Sequence, residues 1–584
     1  MNYPTSEELK SLIKVALGRE EADLLLENGK LVNVFSGEIV PAHVAVKGKW
    51  IAYVGVEKPC CGKETMVIDA SSFYLVPGYL EPHSHPAVIY NPYTQIKELL
   101  PRGITTAITD TYFFFLNISR DKFKEFTNYL KTFPFKYKWF ARPTSASEVP
   151  FEKEIFSLAN VRAMLDLKEV AGMGEITHWH YILKENPSVL DFLVYCRSLQ
   201  KRPDGHTAGA KGAQLAALAA AGISGCHESI NATQALERLR LGMYVALRNS
   251  SLRPDLKKLA AVITEKKVDT SRLMLTTDGS TPGFTREYGD LEALVQEVIS
   301  QGVEPVKAIQ MATLNPATYY RIDDLVGSIS PGRYADILLV KELAVPKPEL
   351  VIASGKVVAE KGKLLVDLKE PDWERYEIKP LAYRQVDPRI FELPAEGKEV
   401  AFPAIKVSSA VLTRREDVVL PVRGGVISPL PEEAIYKISY LDYRCRWVAN
   451  GFIKDFVREI DALAASFSVG FGITVIGRDA EVMARTTEEV YRLGGGIVVM
   501  ANGSVVYRFS LPLLGMMSRE PFEKIVAAEK ALFSCLQAHG YAYHDILYTI
   551  IFLAMSALPE IRITPAGIYD NLNDRVIYPA RKLI

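Results

Sequence analysis

Cysteine is scarce in this sequence, neither charge is in excess and no long apolar run occurs; each shortage excludes a class of protein. The six cysteines among 584 residues are scattered, apart from Cys60 and Cys61. That is too few for a disulfide framework, and two adjacent cysteines do not make a zinc knuckle. Reduced thiols and a cytoplasmic location are therefore expected. Lys plus Arg and Asp plus Glu both total 69. No net positive field is available to neutralise phosphates, so no nucleic-acid partner is expected. The longest apolar stretch, Ile546 to Leu558, is too short for a bilayer and is interrupted by Tyr548, Thr549 and Ser556. No membrane partner is expected either, and the polar, amphipathic opening from Met1 to Glu20 does not read as a secretory signal.

What is present fits a globular chain of two to four domains, with 48% apolar and 24% charged residues. Residues 22–56 read as short strands with turns, and Asn28-Gly29 and Ser36-Gly37 are the hairpin-turn dipeptides between apolar runs. A second segment of this character occupies residues 335–365. Neither has enough strands for a core of its own, so the two are expected to pair into one β-domain, built from residues 1–75 and 331–370. The insert, residues 76–330, has the length of a (β/α)8 barrel of about 250 residues. Within it, short apolar runs (Thr105–Thr109, Val161–Leu165, Ala171–Gly174, Leu273–Thr276) read as strands alternating with helical patterns. A proline-spotted linker over 371–404 and a C-terminal α/β domain over 405–584 complete the expected α/β architecture: a TIM-like barrel inserted into a small β-sandwich, plus one further domain. Gly494-Gly495-Gly496 follows a helix rather than opening one. It reads as a helix stop and not a phosphate cradle, because the dipole there has the wrong sign.

Nine histidines occur, and four sit where barrel strands should end. His83 and His85 form a His-x-His pair after an apolar strand, where residues i and i+2 share a face and can present two imidazoles to one ion. His206 (in DGHTAG) and His227 (in SGCHES) are embedded in small residues that permit close approach. Glu175 follows the run VAGMG, and Asp278 follows the strand LMLTT. Four imidazoles and two carboxylates at strand ends suit a pair of divalent cations.

The order His-x-His, carboxylate, His, His, Asp resembles that of the amidohydrolase superfamily. More narrowly, PGYLEPHSHP, GMGEI, DGHTAG, AAGISGCHES, ALERLRLGMY, KAIQMATLNPA, SISPGRYADILLV, GFIKDF, LGGGIVV and LPLLGMMS are similar to segments of adenine deaminases across most of residues 22–570. The resemblance implies two divalent metal ions (Mn2+, Fe2+ or Zn2+), ligated by His83, His85, Glu175, His206, His227 and Asp278. In it Glu175 bridges the pair, and Asp278 also moves the proton. It implies a small-molecule partner, a purine base or related heterocycle, and places the chain in purine metabolism. A homo-oligomer is expected.

Several positions depart from the family. Its Glu-Ser-Ser after His-x-His is Ala87-Val88-Ile89 here, and Asp-Pro-His-Glu is Asp110-Thr111-Tyr112-Phe113. Asp-Asp-Lys-His-Pro is Asp278-Gly279-Ser280-Thr281-Pro282, and His-Asp-Ser-His is Ser468-Val469-Gly470-Phe471. The ligand set is intact while polar pocket groups are replaced, which leaves a second expectation open: the same metal chemistry on a different aminopurine or a cyclic amide. Glu228, Arg248 and His178 are candidate substrate contacts. His180 and Trp179 are expected near the pocket without ligating, and His43, His539 and His544 away from it.

Overall fold

The computed structural model describes residues 1–59 and 62–583; Cys60 and Cys61 lie outside the described residues. Eight parallel strands form the central sheet, labelled here β1 (Tyr79–Ser84), β2 (Ile104–Asp110), β3 (Lys136–Ala141), β4 (Val170–Ile176), β5 (Arg202–Gly205), β6 (Gly225–Cys226), β7 (Tyr244–Arg248) and β8 (Leu273–Thr276). Each strand pairs with the next in sequence, and a parallel bridge between Ser84 and Asp278 joins the ends of β1 and β8. Strands β2, β3 and β4 are buried along their whole length, as parallel strands covered on both faces must be. The intervening helices start on local signals. The side chains of Asn91, Asn186, Asn231 and Thr281 each accept a hydrogen bond from the backbone N–H three residues on.

The two β-rich segments meet in a single nine-stranded sheet. Tyr74–Pro77 runs antiparallel to Ile337–Glu342, with Leu75 opposite Leu339. Leu24, Val44, Leu75, Ile337 and Ile352 are buried in one core drawn from both segments. A ten-stranded sheet begins at Glu399–Val407 and carries helix Ala480–Arg492, and a three-stranded sheet, Ile561–Thr564 to Arg575–Pro579, follows. Between the barrel and this region, residues 373–376 and 388–391 form single turns of 3-10 helix. Among the described residues, no helix is long and apolar enough to cross a membrane.

Two local expectations are corrected. Val161–Leu165 is the end of helix Leu158–Leu165, not a strand: a five-residue apolar run has no periodicity of its own to distinguish the two. Asn28-Gly29 does not turn the chain. It lies inside strand Leu24–Asn33 as a bulge, where the pairing slips between Leu26 opposite Val44 and Gly29 opposite Ala42, with Asn28 at φ 61°. Ser36-Gly37 does make the turn to Glu38–Lys47, and Gly494 and Gly495, at φ 71° and 112°, end helix Ala480–Arg492.

Candidate metal centre

All eight strands deliver a charged or imidazole side chain at their carboxyl ends. His83 and His85 come from β1, Asp110 from β2, Arg142 from just beyond β3, Glu175 from β4, His206 from beyond β5, His227 and Glu228 from beyond β6, Arg248 from β7 and Asp278 from beyond β8. The six side chains expected to bind metal converge. One oxygen of Glu175, Oε2, lies 2.6 Å from His206 Nδ1, 3.3 Å from His227 Nε2 and 3.9 Å from His83 Nε2. Oδ1 of Asp278 lies 3.1 Å from His85 Nε2 and 3.7 Å from His83 Nε2. Two trios, His83–His85–Glu175 and Glu175–His206–His227, each hold their ligand atoms within 4.8 Å of one another, and Glu175 belongs to both. Glu228 and Asp204 extend the same cluster.

The electrostatics favour cations. Burial opposes the charged ring of His83, yet Asp204, Asp278 and Glu175 outweigh it and push that imidazole up to about 9. Burial likewise opposes ionised Glu175 and Asp278. His206 and Arg142 hold the first, and Arg248, His85 and His83 the second, well below the usual carboxylate range. Both carboxylates are thus anionic at neutral pH, and the uncharged forms of the surrounding imidazoles are the ligating forms. The donor set fits divalent cations with mixed nitrogen and oxygen preference.

Behind these groups stands a ring of residues that sequence reasoning did not single out. Asp204 Oδ2 lies 3.6 Å from His83 Nδ1 and 3.9 Å from His227 Nδ1, and Tyr319 donates its hydroxyl to Asp204 Oδ1 at 2.9 Å. Gly225 makes room for this pair, since a Cβ there would stand 2.4 Å from the Tyr319 hydroxyl and 2.6 Å from Asp204 Oδ1. Asp110 Oδ2 lies 3.7 Å from His85 Nδ1 and 3.1 Å from Arg142 Nε. Arg142 in turn donates to the Glu175 carbonyl at 2.6 Å and approaches Glu175 Oε1 at 3.4 Å, leaving Oε2 to the imidazoles. Glu81 accepts from the His83 N–H at 2.9 Å and from the Thr277 N–H at 3.0 Å, tying β1 to the turn after β8. Burial pushes Glu81 up to about 7.

A cavity of about 250 Å³ opens over the strand ends. Its floor includes His85, Glu175, His206, Arg248 and Asp278; its other wall comes from the C-terminal region, including Val469, Tyr548, Phe552 and Met555. Arg248 Nη1 donates to Glu228 Oε1 at 2.6 Å and Asp278 Oδ2 at 2.5 Å, while its Nε and Nη2 are buried without a hydrogen-bond partner. Arg253 holds the other oxygen of Glu228 at 2.6 Å. Glu228 and Arg248 thus line the cavity, whereas His178 is not among its lining residues. The His178 ring stacks on Tyr181 with centroids 5.3 Å apart, and its Nε2 lies 3.2 Å from Ser556 Oγ. Burial, with His180 and Arg142 adding to it, lowers that ring to about 3.

The positions that depart from the family pattern also converge. Phe471 packs on Tyr112 and Phe113, both with centroids 5.6 Å away, and the Tyr112 hydroxyl donates to the Val469 carbonyl at 2.8 Å. Gly279 touches the same seam: the Tyr548 hydroxyl donates to its carbonyl, and a Cβ at 279 would stand 2.4 Å from that hydroxyl. Among the replaced groups, Tyr112 and Phe113 of the barrel thus form an aromatic contact with Phe471 of the C-terminal region.

A model of the amidohydrolase family matches residues 150–358, and one of the adenine deaminase C-terminal domain matches residues 410–574. A putative adenine deaminase of Bacillus cereus is 31% identical over 584 residues, covering 99% of this chain and 97% of its own length. The adenine deaminase of Moorella thermoacetica is 32% identical over 591 residues, covering 98% of each chain. Among solved structures, a β-aspartyl dipeptidase of Fervidobacterium islandicum AW-1 aligns with TM-score 0.46 and 18% identity over 59% of this chain and 99% of that one.

Proposed function

The chain belongs to the adenine deaminase family, and on that premise we propose that it hydrolyses adenine to hypoxanthine and ammonia at the strand-end cluster. Two divalent cations, of manganese, iron or zinc, would be held by His83, His85, Glu175, His206, His227 and Asp278. The observation that carries this reading is the sharing of Glu175 between two trios of ligand atoms. When bound, the cations supply Lewis acidity that lowers the pKa of a water toward neutrality.

The remaining steps belong to the protein's own side chains. Glu228 and Arg248 line the cavity beside the ligand cluster. Arg248 lines the cavity, and its guanidinium is a donor for an acceptor on the substrate ring, a nitrogen in the case of adenine. Arg253, by holding Glu228, fixes the geometry of that edge. Water adds at the carbon bearing the amine. Asp278 accepts the proton at a carboxylate oxygen and returns it to the departing nitrogen, so that ammonia leaves as the C–N bond breaks. The apolar wall excludes competing water and strengthens each of these polar contacts.

Ammonia release from adenine by protein loaded with manganese, iron or zinc tests the assignment, and removal of the metal by a chelator should abolish it. The apolar seam of Tyr112, Phe113, Val469 and Phe471 favours one rival, the same chemistry on another aminopurine or a cyclic amide. A panel of such compounds that outperforms adenine would select it; no release from any of them would end both readings.

Asp204 gives a separate prediction. Asp204→Asn keeps the hydrogen bond from Tyr319 but removes the negative charge facing the outward nitrogens of His83 and His227. Carboxylates behind metal-binding imidazoles are worth roughly 10–100-fold in metal affinity. Competition against a chromogenic chelator should show a weakening of that size, and unchanged affinity would reduce Asp204 to a packing role.

A further inference from the structure

A cavity of about 740 Å³, against about 250 Å³ for the one over the strand ends, lies on the other side of the barrel. It is bounded by the amino end of β3, by Tyr334, Ser354 and Lys356 of the segment that follows the barrel, and by residues 366–369. β3 starts in this cavity at Lys136 and ends at Ala141, next to Arg142 of the metal-ligand cluster, so the two cavities face opposite ends of the barrel.

The lining has two chemical halves. The half-buried Tyr129 contributes ring surface, with the buried rings of Tyr137 and Trp139 behind the same wall. Lys49, Lys131, Lys136, Lys356 and Lys369 contribute ammonium groups, and Glu169 and Asp367 are the carboxylates among the lining residues. Three of the lysines have partners: Lys49 with Glu8 at 3.6 Å, Lys131 with Glu169, and Lys136 with Asp336 at 2.6 Å. Lys356 and Lys369 are exposed and form no ion pair among the described residues. Lys138, on the same strand, is pushed down to about 8 by burial, with Lys201 and Lys131 adding to the effect against Glu169. Positive charge is in local excess, and it borders aromatic surface.

We propose that this cavity binds a nucleotide, its base against the wall that includes Tyr129 and its phosphate drawn by Lys356 and Lys369. The volume is that of a site for a small organic molecule. Lysine serves phosphate as a mobile point charge, and a base has a π-face that stacks on an aromatic ring. An aliphatic anion would leave the rings unused, and an uncharged aromatic would leave the lysines unused. A ligand here would not compete for space with substrate at the strand ends.

Calorimetric titration of the metal-loaded full chain with AMP, inorganic phosphate and adenine tests the assignment. AMP should saturate one site per chain, and adenine, which lacks the phosphate, should bind that site at least about tenfold more weakly. Phosphate alone should bind at least about tenfold more weakly. The double variant Lys356→Ala, Lys369→Ala should lose at least about tenfold in AMP affinity while metal content and thermal midpoint stay unchanged. Absence of AMP binding, adenine or phosphate binding as tightly as AMP, or full affinity in the double variant would each overturn it.

Discussion

With two cations per chain as proposed, Glu175→Gln should lower the metal content to at most one. The wild-type carboxylate presents Oε2 to three imidazoles and Oε1 to Arg142, so one side chain serves both halves of the cluster. Glutamine keeps a carbonyl oxygen for one of these duties and puts an uncharged amide in the other. The amide nitrogen has no lone pair available for a cation, and its N–H groups would meet either Arg142 or an imidazole. Loss of the negative charge also removes one of the two counter-charges to Arg142, which retains the nearer one, Asp110 at 3.1 Å, and so stays paired within the buried site. The change should therefore show in metal stoichiometry by elemental analysis before it shows in folding. Two tightly held cations in Glu175→Gln would mean that Glu175 is not shared.

The parts of the site legible in the sequence are those that depend on local geometry. His83 and His85 are two apart on one strand, and the rule that i and i+2 share a face needs no knowledge of the fold. His206, His227 and Asp278 required one more step, recognising that strand ends of a barrel converge. Asp204 escaped notice although it carries the same signal, for it precedes His206 by two residues on β5. What the sequence does not contain is its partner set, since His83, His227 and Tyr319 reach it from other strands and a helix end. Arg142 has no such local signal: it lies one residue past β3, and its partners Asp110 and Glu175 come from the neighbouring strands.

The fold shows the same division. Pairing of the two β-rich segments follows from each being too small alone, and it needs no contact information. The bulge at Asn28-Gly29 depended on which strand lay alongside, because that dipeptide fits a tight turn and a bulge equally well. Likewise, the apolar run Val161–Leu165 was resolved by neighbours that its own five residues do not specify. The substituted pocket positions were visible as substitutions, but their common purpose was not. Tyr112, Phe113, Val469 and Phe471 are far apart in sequence and adjacent in space, so their replacement reads as repacking of one seam between the barrel and the C-terminal region.

Asp278→Asn should reduce turnover on the true substrate by about 10²–10⁴, the weight of general acid–base catalysis. Asparagine preserves the size of the side chain and one oxygen able to face His85 and His83. It removes the group that, in the proposed reaction, receives the proton from water and returns it to the leaving nitrogen. Metal content should change much less than in Glu175→Gln, because Glu175 is shared by the two histidine trios and Asp278 is a member of neither. A structural contribution exists as well: Asp278 Oδ2 accepts from Arg248 at 2.5 Å and Oδ1 from the Gly279 N–H at 2.8 Å. Arg248 keeps Glu228 as its counter-charge in the variant, so the buried guanidinium is not left unpaired. Turnover counted per mole of folded, metal-loaded protein separates the two contributions, since a loss confined to folding would leave that ratio near wild type. A ratio near wild type would transfer the proton step to another side chain of the cluster, with Glu228, which shares Arg248 with Asp278, as the candidate.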